Sequence, residues 1–133
     1  MQIFIVKRTN RPGELANLTG ALASQKVNVL ITALGWDDNG MAAFVANDEP
    51  AARRALDEAK YEYTMLPTLT VGLRDVPGQA AEVSRLLGDQ GVNIQCFLPV
   101  SVTDSKVICA IGVDNLEAAT KALHDHVVEY TYS

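Results

Sequence analysis

The sequence predicts an α+β fold made twice: two βαββαβ units, each an antiparallel sheet with its helices on one face. Three observations predict it. Short β-branched apolar runs alternate with stretches of helical periodicity, the same order of runs occurs twice, and a Pro-Gly break stands at the same place in each copy. A shift of 65 residues lays Pro12-Gly13 on Pro77-Gly78, Gln25 on Gln90, and Val27-Asn28-Val29 on Val92-Asn93-Ile94. Further along, a shift of 67 lays Ala51 to Leu56 on Ala118 to Leu123, and Glu62-Tyr63-Thr64 on Glu129-Tyr130-Thr131. The slip of two residues predicts one short loop insertion after the third strand.

Each element follows from local chemistry. Apolar runs from Gln2 to Lys7 and from Leu69 to Leu73 stop at the Pro-Gly breaks and read as first strands. Helices follow, with Leu15, Leu18 and Leu22 on one face in the first copy and Ala80, Val83 and Leu87 in the second. The second strands span Val27 to Trp36 and Val92 to Val102. Asp38-Asn39-Gly40 predicts a hairpin, because Asn and Gly tolerate the positive φ of tight turns; Thr103-Asp104-Ser105 is the weaker counterpart. The third strands are Met41 to Ala46 and Lys106 to Val113. The next helix starts near Asp48 with Pro50 in its first turn, where N–H groups lack partners anyway. In the second copy Asp114 with Glu117 forms a capping-box pattern. Last strands, Tyr61 to Met65 and Val128 to Tyr132, close the units.

Right-handed crossovers then give the ferredoxin-like arrangement in each copy. The domains are residues 1–66 and 67–133, each at the margin of independent stability. No Gly/Ser linker separates Met65 from Thr68, and the two units are expected to pack as a pseudo-two-fold pair.

Composition narrows the function classes. The chain has 133 residues, 48% hydrophobic and 20% charged, with a net charge of −5, and its basic residues are scattered. Nucleic-acid binding is thereby disfavoured, since phosphate contacts need clustered Lys and Arg. The βαββαβ order also serves RNA recognition, but that use needs stacking aromatics on the two central strands and a basic sheet, and strand three carries Phe44 in one copy and no aromatic in the other. A metal carrier on this topology would need paired cysteines in the first loop; both loops lack them. Ile3 to Val6 is too short for a signal-peptide core, and no run approaches the ~20 apolar residues of a membrane span. Cys96 and Cys109 stand alone, which fits reduced thiols, and a cytoplasmic protein is expected.

The candidate functional residues are the two loops Asn10-Arg11-Pro12-Gly13-Glu14-Leu15 and Asp75-Val76-Pro77-Gly78-Gln79-Ala80. Each leaves a strand and enters a helix whose first turn offers free N–H groups to a carboxylate or phosphate. Pro-Gly also simply makes a tight strand-to-helix turn, and a repeated fold repeats its turns. Trp36, at the hairpin tip, could stack on a ligand or merely pack. Tyr61, Tyr63, Tyr130 and Tyr132 alternate and fill one sheet face. His124 and His126 point to different helix faces and make a poor metal pair; near a helix C-terminus their positive character is favourable. No catalytic triad, reactive cysteine or metal cluster emerges, so neither catalytic residues nor a cofactor are expected.

The (Asn/Asp)-x-Pro-Gly loop, followed by Val-Asn-(Val/Ile), resembles the ACT domain, a small regulatory module of amino-acid metabolism. The resemblance covers the whole chain as a tandem pair and is closest over Asp75, Pro77, Gly78 and Gly91-Val92-Asn93-Ile94. It implies a non-catalytic, allosteric regulatory protein that binds a free amino acid or similar metabolite, self-associates as a dimer, and acts on itself or on a partner enzyme. The alternative is a structural oligomerisation module without a ligand. ACT domains pair side by side through their second strands and bind ligand at the seam. The resemblance therefore implies one site joining Asn10 to Leu15 with Asn93, Ile94 and Gln95, and another joining Asp75 to Ala80 with Asn28, Val29 and Leu30. Arg11 against Val76, and Leu30 against Gln95, make the two sites inequivalent.

Overall fold

The computed structural model describes all 133 residues, Met1–Ser133. Its chain divides into two compact units: one holds Met1, Ile3–Met65 and Thr131–Ser133, the other Gln2 and Leu66–Tyr130. The first repeat runs β1 (Ile3–Thr9), α1 (Glu14–Ser24), β2 (Val29–Trp36), β3 (Asn39–Ala46), α2 (Glu49–Glu58) and β4 (Tyr63–Leu66). Its sheet has the order β2-β3-β1-β4, with β3 antiparallel to both neighbours. Period-two alternation sends Phe4 and Val6 of β1, and Ala42, Phe44 and Ala46 of β3, to one face. There they join Leu18 and Leu22 of α1 and Ala52 and Leu56 of α2 in one buried cluster, so both helices cover the same side. Phe4 and Phe44 are cross-strand partners whose rings stack with centroids 4.9 Å apart. Such a pair stabilises by about 0.5–1.5 kcal/mol beyond its area burial.

The second repeat runs β5 (Thr68–Arg74), α3 (Gln79–Asp89), β6 (Ile94–Val102), β7 (Lys106–Val113) and α4 (Leu116–Ala122). Its sheet order is β5-β7-β6. Val71, Cys109 and Ile111 meet Val83 and Leu87 of α3 and Ala119 and Leu123 of α4 in an equivalent core. The expected α+β units are thus present in both copies.

Four local expectations are corrected. The hairpin of the first repeat turns at Asp37-Asp38, because Trp36 pairs with Asn39 and Gly35 with Gly40; Asp37 takes the positive φ of 50°. Gly40 is instead a strand residue, where a Cβ would come within 3.0 Å of the Arg8 carbonyl oxygen. The two extra residues of the second copy are not a loop insertion after the third strand. They lie inside β6 as irregularities between Ile94 and Cys96 and between Pro99 and Ser101, whereas β2 pairs with β3 without interruption. Bulges of this kind are at home on an edge strand, and so is Pro99, which has no N–H to donate.

The cap of α4 is Asn115, whose Oδ1 accepts from the Ala118 N–H at 3.0 Å. Asp114 instead accepts from the Asn93 N–H at 2.9 Å, and Glu117 faces Lys121, so no capping box forms. Last, Val128 to Tyr132 does not make a strand. The Gly72 N–H donates to the His126 carbonyl, the Val128 N–H donates to the Thr70 carbonyl, and Val127 bridges Val71. Continuing that antiparallel register would bring Thr131 opposite Pro67, which has no N–H for a ladder.

Candidate functional site

Both Pro-Gly loops are built alike. Gly13 and Gly78 sit at the caps of α1 and α3 with φ of 87° and 92°, the left-handed region where a Cβ is penalised. Each loop is tied to the hairpin of its own repeat by one backbone bond: the Asn10 N–H donates to the Asp38 carbonyl and the Asp75 N–H to the Ser105 carbonyl, both at 3.1 Å. No side chain caps α1 or α3, whereas Asp48 caps α2 and Asn115 caps α4. A glycine cap offers no side-chain oxygen. The first helical N–H groups, of Glu14 and Gln79, donate to the Arg11 and Val76 carbonyls at 3.2 and 3.4 Å, and the N–H groups that follow in the first turn have no side-chain cap in either copy.

The predicted residues divide into three groups. Arg11, Pro12, Gly13 and Leu15 are exposed, as are Asp75, Val76, Pro77, Gly78 and Ala80. Asn28 and Asn93 precede their strands, and each is bracketed by backbone bonds. The Asn28 N–H donates to the Asn47 Oδ1 at 2.9 Å, and the Asn47 N–H returns to the Asn28 carbonyl at 3.0 Å. Asn93 and Asp114 repeat this pair. The Val-Asn repeat therefore has a backbone reason of its own. Val29 and Ile94 pack against the cores, Leu30 is half-buried, and Gln95 is exposed within the first irregularity of β6.

In the second unit, Asp75, Val76, Gln79 and Ala80 come together with Leu73, Arg74, Phe97, Pro99, Val107 and Cys109 around a cavity of about 220 Å³. Gln79 is the one buried polar side chain; it accepts from the Arg74 N–H at 3.1 Å and donates to Glu82 at 2.8 Å. Asn93, Ile94 and Gln95 do not line this cavity. Leu73, Arg74, Phe97, Pro99, Val107 and Cys109 were not among the residues expected from sequence. One signal was available: the first copy has Arg8 and Gly40 where the second has Leu73 and Val107, and both are cross-strand pairs.

The first unit carries charge at the same place. The Arg8 side chain lies across Gly40, and its Nε is buried without a hydrogen-bond partner. Glu14 pairs with Arg11 at 2.8 Å. Burial raises the Tyr61 hydroxyl above its ordinary pKa, the Glu14 carboxylate adds to this, and the Arg8 guanidinium opposes it. Asn10 is a tether: its carboxamide lies over Gly35 and donates to the Asp37 carbonyl at 2.9 Å. Elsewhere, burial raises the thiol pKa of Cys96 and Cys109, which keeps both protonated at neutral pH. His124 and His126 lie beyond the end of α4. No helix is long and apolar enough to cross a membrane.

No protein-family model matches the chain, and no curated protein sequence does. Solved structures do. A protein from Bacteroides thetaiotaomicron superposes with a TM-score of 0.79 at 19% identity, over 96% of this chain and 90% of that one. The ligand-free regulatory subunit of aspartate kinase from Thermus thermophilus gives 0.65 at 22% identity, over 93% and 90%. A structure of aspartokinase alpha and beta subunits gives 0.62 at 25% identity, also over 93% and 90%. The likeness spans both repeats and is a likeness of fold.

Proposed function

This chain has the tandem ACT-domain fold, and from that premise we propose that it is a non-catalytic regulatory protein of amino-acid metabolism that binds a free amino acid or a similar small metabolite at its Pro-Gly helix starts. One observation carries the reading: of four helices, the two that begin at Pro-Gly are left without a side-chain cap, in both copies. A zwitterion needs N–H donors for its carboxylate and acceptors for its ammonium, and an uncapped helix start beside a strand end supplies both. The regulatory subunit of Thermus thermophilus aspartate kinase, with the same fold, supports a regulatory role. The second strand of another ACT unit, presenting Asn28, Val29 and Leu30 or Asn93, Ile94 and Gln95, would complete each site, as the family resemblance implies.

Thermal-shift measurements against the twenty amino acids test this, because a ligand of the native state raises stability by mass action. At least one amino acid should stabilise the chain, with micromolar to millimolar affinity, since so few ligand atoms cannot deliver more. Gly78→Ala should lose that response while keeping its circular dichroism spectrum. A Cβ there meets no atom within 4 Å, so the harm acts through the left-handed backbone, at a strain of about 1–2 kcal/mol. A folded Gly78→Ala and Gly13→Ala pair that both respond as the parent does would place the site elsewhere. The second reading, a ligand-free oligomerisation module, is favoured by Leu34 and Trp36, 56% and 55% exposed on β2. Stable self-association with no response to any amino acid would select it.

A further inference from the structure

The cavity of the second unit has a polar rim and an apolar floor. Arg74, Asp75 and Gln79 stand on the side of the Pro-Gly loop, while Leu73, Phe97, Pro99, Val107 and Cys109 close the remainder. Its volume of about 220 Å³ equals roughly seven waters at ~30 Å³ each. That suits a branched aliphatic side chain and falls short of the ~300 Å³ at which drug-sized sites begin. Water held against such a floor finds few partners, whereas a hydrocarbon is stabilised by each CH₂ it buries there.

The repeat supplies an internal comparison. Every position around the cavity differs between the copies, and three of the differences bear most directly on its shape and polarity. Leu73 corresponds to Arg8, Ala80 to Leu15, and Val107 to Gly40. Losing the valine side chain opens space over Gly40, and the Arg8 side chain lies there, so a guanidinium stands where the second unit has hydrocarbon. The larger Leu15 replaces Ala80 at the mouth. The same loop is thus backed by an apolar hollow in one copy and by a partly buried guanidinium group in the other.

We propose that the cavity bounded by Leu73, Val76, Ala80, Phe97 and Val107 takes the aliphatic side chain of a free amino acid, and that the first unit, with Arg8 in place of Leu73, does not. This rests on the amino-acid binding proposed above and names the class of ligand. Asp75, on the rim, faces the ammonium, and the uncapped start of α3 faces the carboxylate.

Calorimetry on the full chain with leucine, glycine and aspartate decides it. Leucine should bind at one site per chain, and glycine and aspartate at least about ten-fold more weakly. Ala80→Leu and Leu73→Arg, each of which copies the first unit into the second, should weaken leucine by a similar factor of about ten or more. Ala80 is exposed, so its variant should fold even where Leu73→Arg does not. No binding of any amino acid to the parent would overturn both this inference and the function it rests on. If glycine or aspartate binds as well as leucine, or two leucines bind per chain, or folded Ala80→Leu binds leucine undiminished, the cavity assignment fails. In those cases a response still abolished by Gly78→Ala leaves the amino-acid reading standing.

Discussion

The carboxamide of Asn10 occupies the space that a side chain at position 35 would need, and from there it donates to the Asp37 carbonyl. Gly35 and Asn10 should therefore behave as one device. Asn10→Ala removes a hydrogen bond worth about 1 kcal/mol net, and Gly35→Ala displaces the same carboxamide and breaks the same bond. The double variant should then cost less than the sum of the two, by about 0.5 kcal/mol or more, in urea unfolding. Strict additivity would show that the tether does not hold the hairpin. Little of this was legible in the sequence. Asn39-Gly40 carries the composition of a turn, yet Gly40 is spent on close approach to the Arg8 backbone, and Asp37 bends the chain. Turn composition is a local signal, whereas close approach is imposed by a strand far away in sequence.

At the scale of elements, the caps separate the four helices into two kinds. Asp48 at the start of α2 accepts from the Ala51 N–H at 3.0 Å, and its removal leaves that donor without a protein partner. Asp48→Ala should destabilise the chain by about 1 kcal/mol in thermal or urea unfolding and leave the response to ligand unchanged. A loss of ligand response in a folded Asp48→Ala would argue against the Pro-Gly helices as the binding elements. The α2 cap and Pro50 in its first turn were readable from sequence because both act within one turn. The cap of α4 was not. Asp114 and Asn115 are adjacent and chemically equal to the task, and what separates them is that Asp114 already holds the Asn93 backbone. A contact across the sheet thus decided a choice that the local pattern left open.

At the scale of the molecule, β2 and β6, the edge strands at corresponding places in the two sheets, are unlike. β6 carries two irregularities and Pro99, devices that blunt an edge against further pairing. β2 is Val29-Leu30-Ile31-Thr32-Ala33-Leu34-Gly35-Trp36, without a charge, a proline or a bulge, and Leu34 and Trp36 are more than half exposed. Self-association is expected to use β2 first. Leu34→Lys should shift the chain toward monomer in light scattering at micromolar concentration, with no change in helix content. A parent that stays monomeric there, or a variant that associates as the parent does, would contradict this use of the edge.

The sequence by itself determined the duplication, the order of elements through the last helix of each copy, and most of the residues of the two cores, with Leu15 and Ala80 of the expected helix faces exposed instead. All of these rest on periodicity and backbone chemistry that act within a turn or a strand, and a second copy repeats them. Tertiary structure alone decided that the two extra residues lie within β6, that Val128 to Tyr132 stops at one bridge, and that the second unit has a hollow behind its loop. Those outcomes depend on which residues meet across strands. Leu73 against Val107 leaves an apolar cavity, and Arg8 against Gly40 lays a guanidinium across the same position, a difference that becomes chemistry only once the partners are side by side.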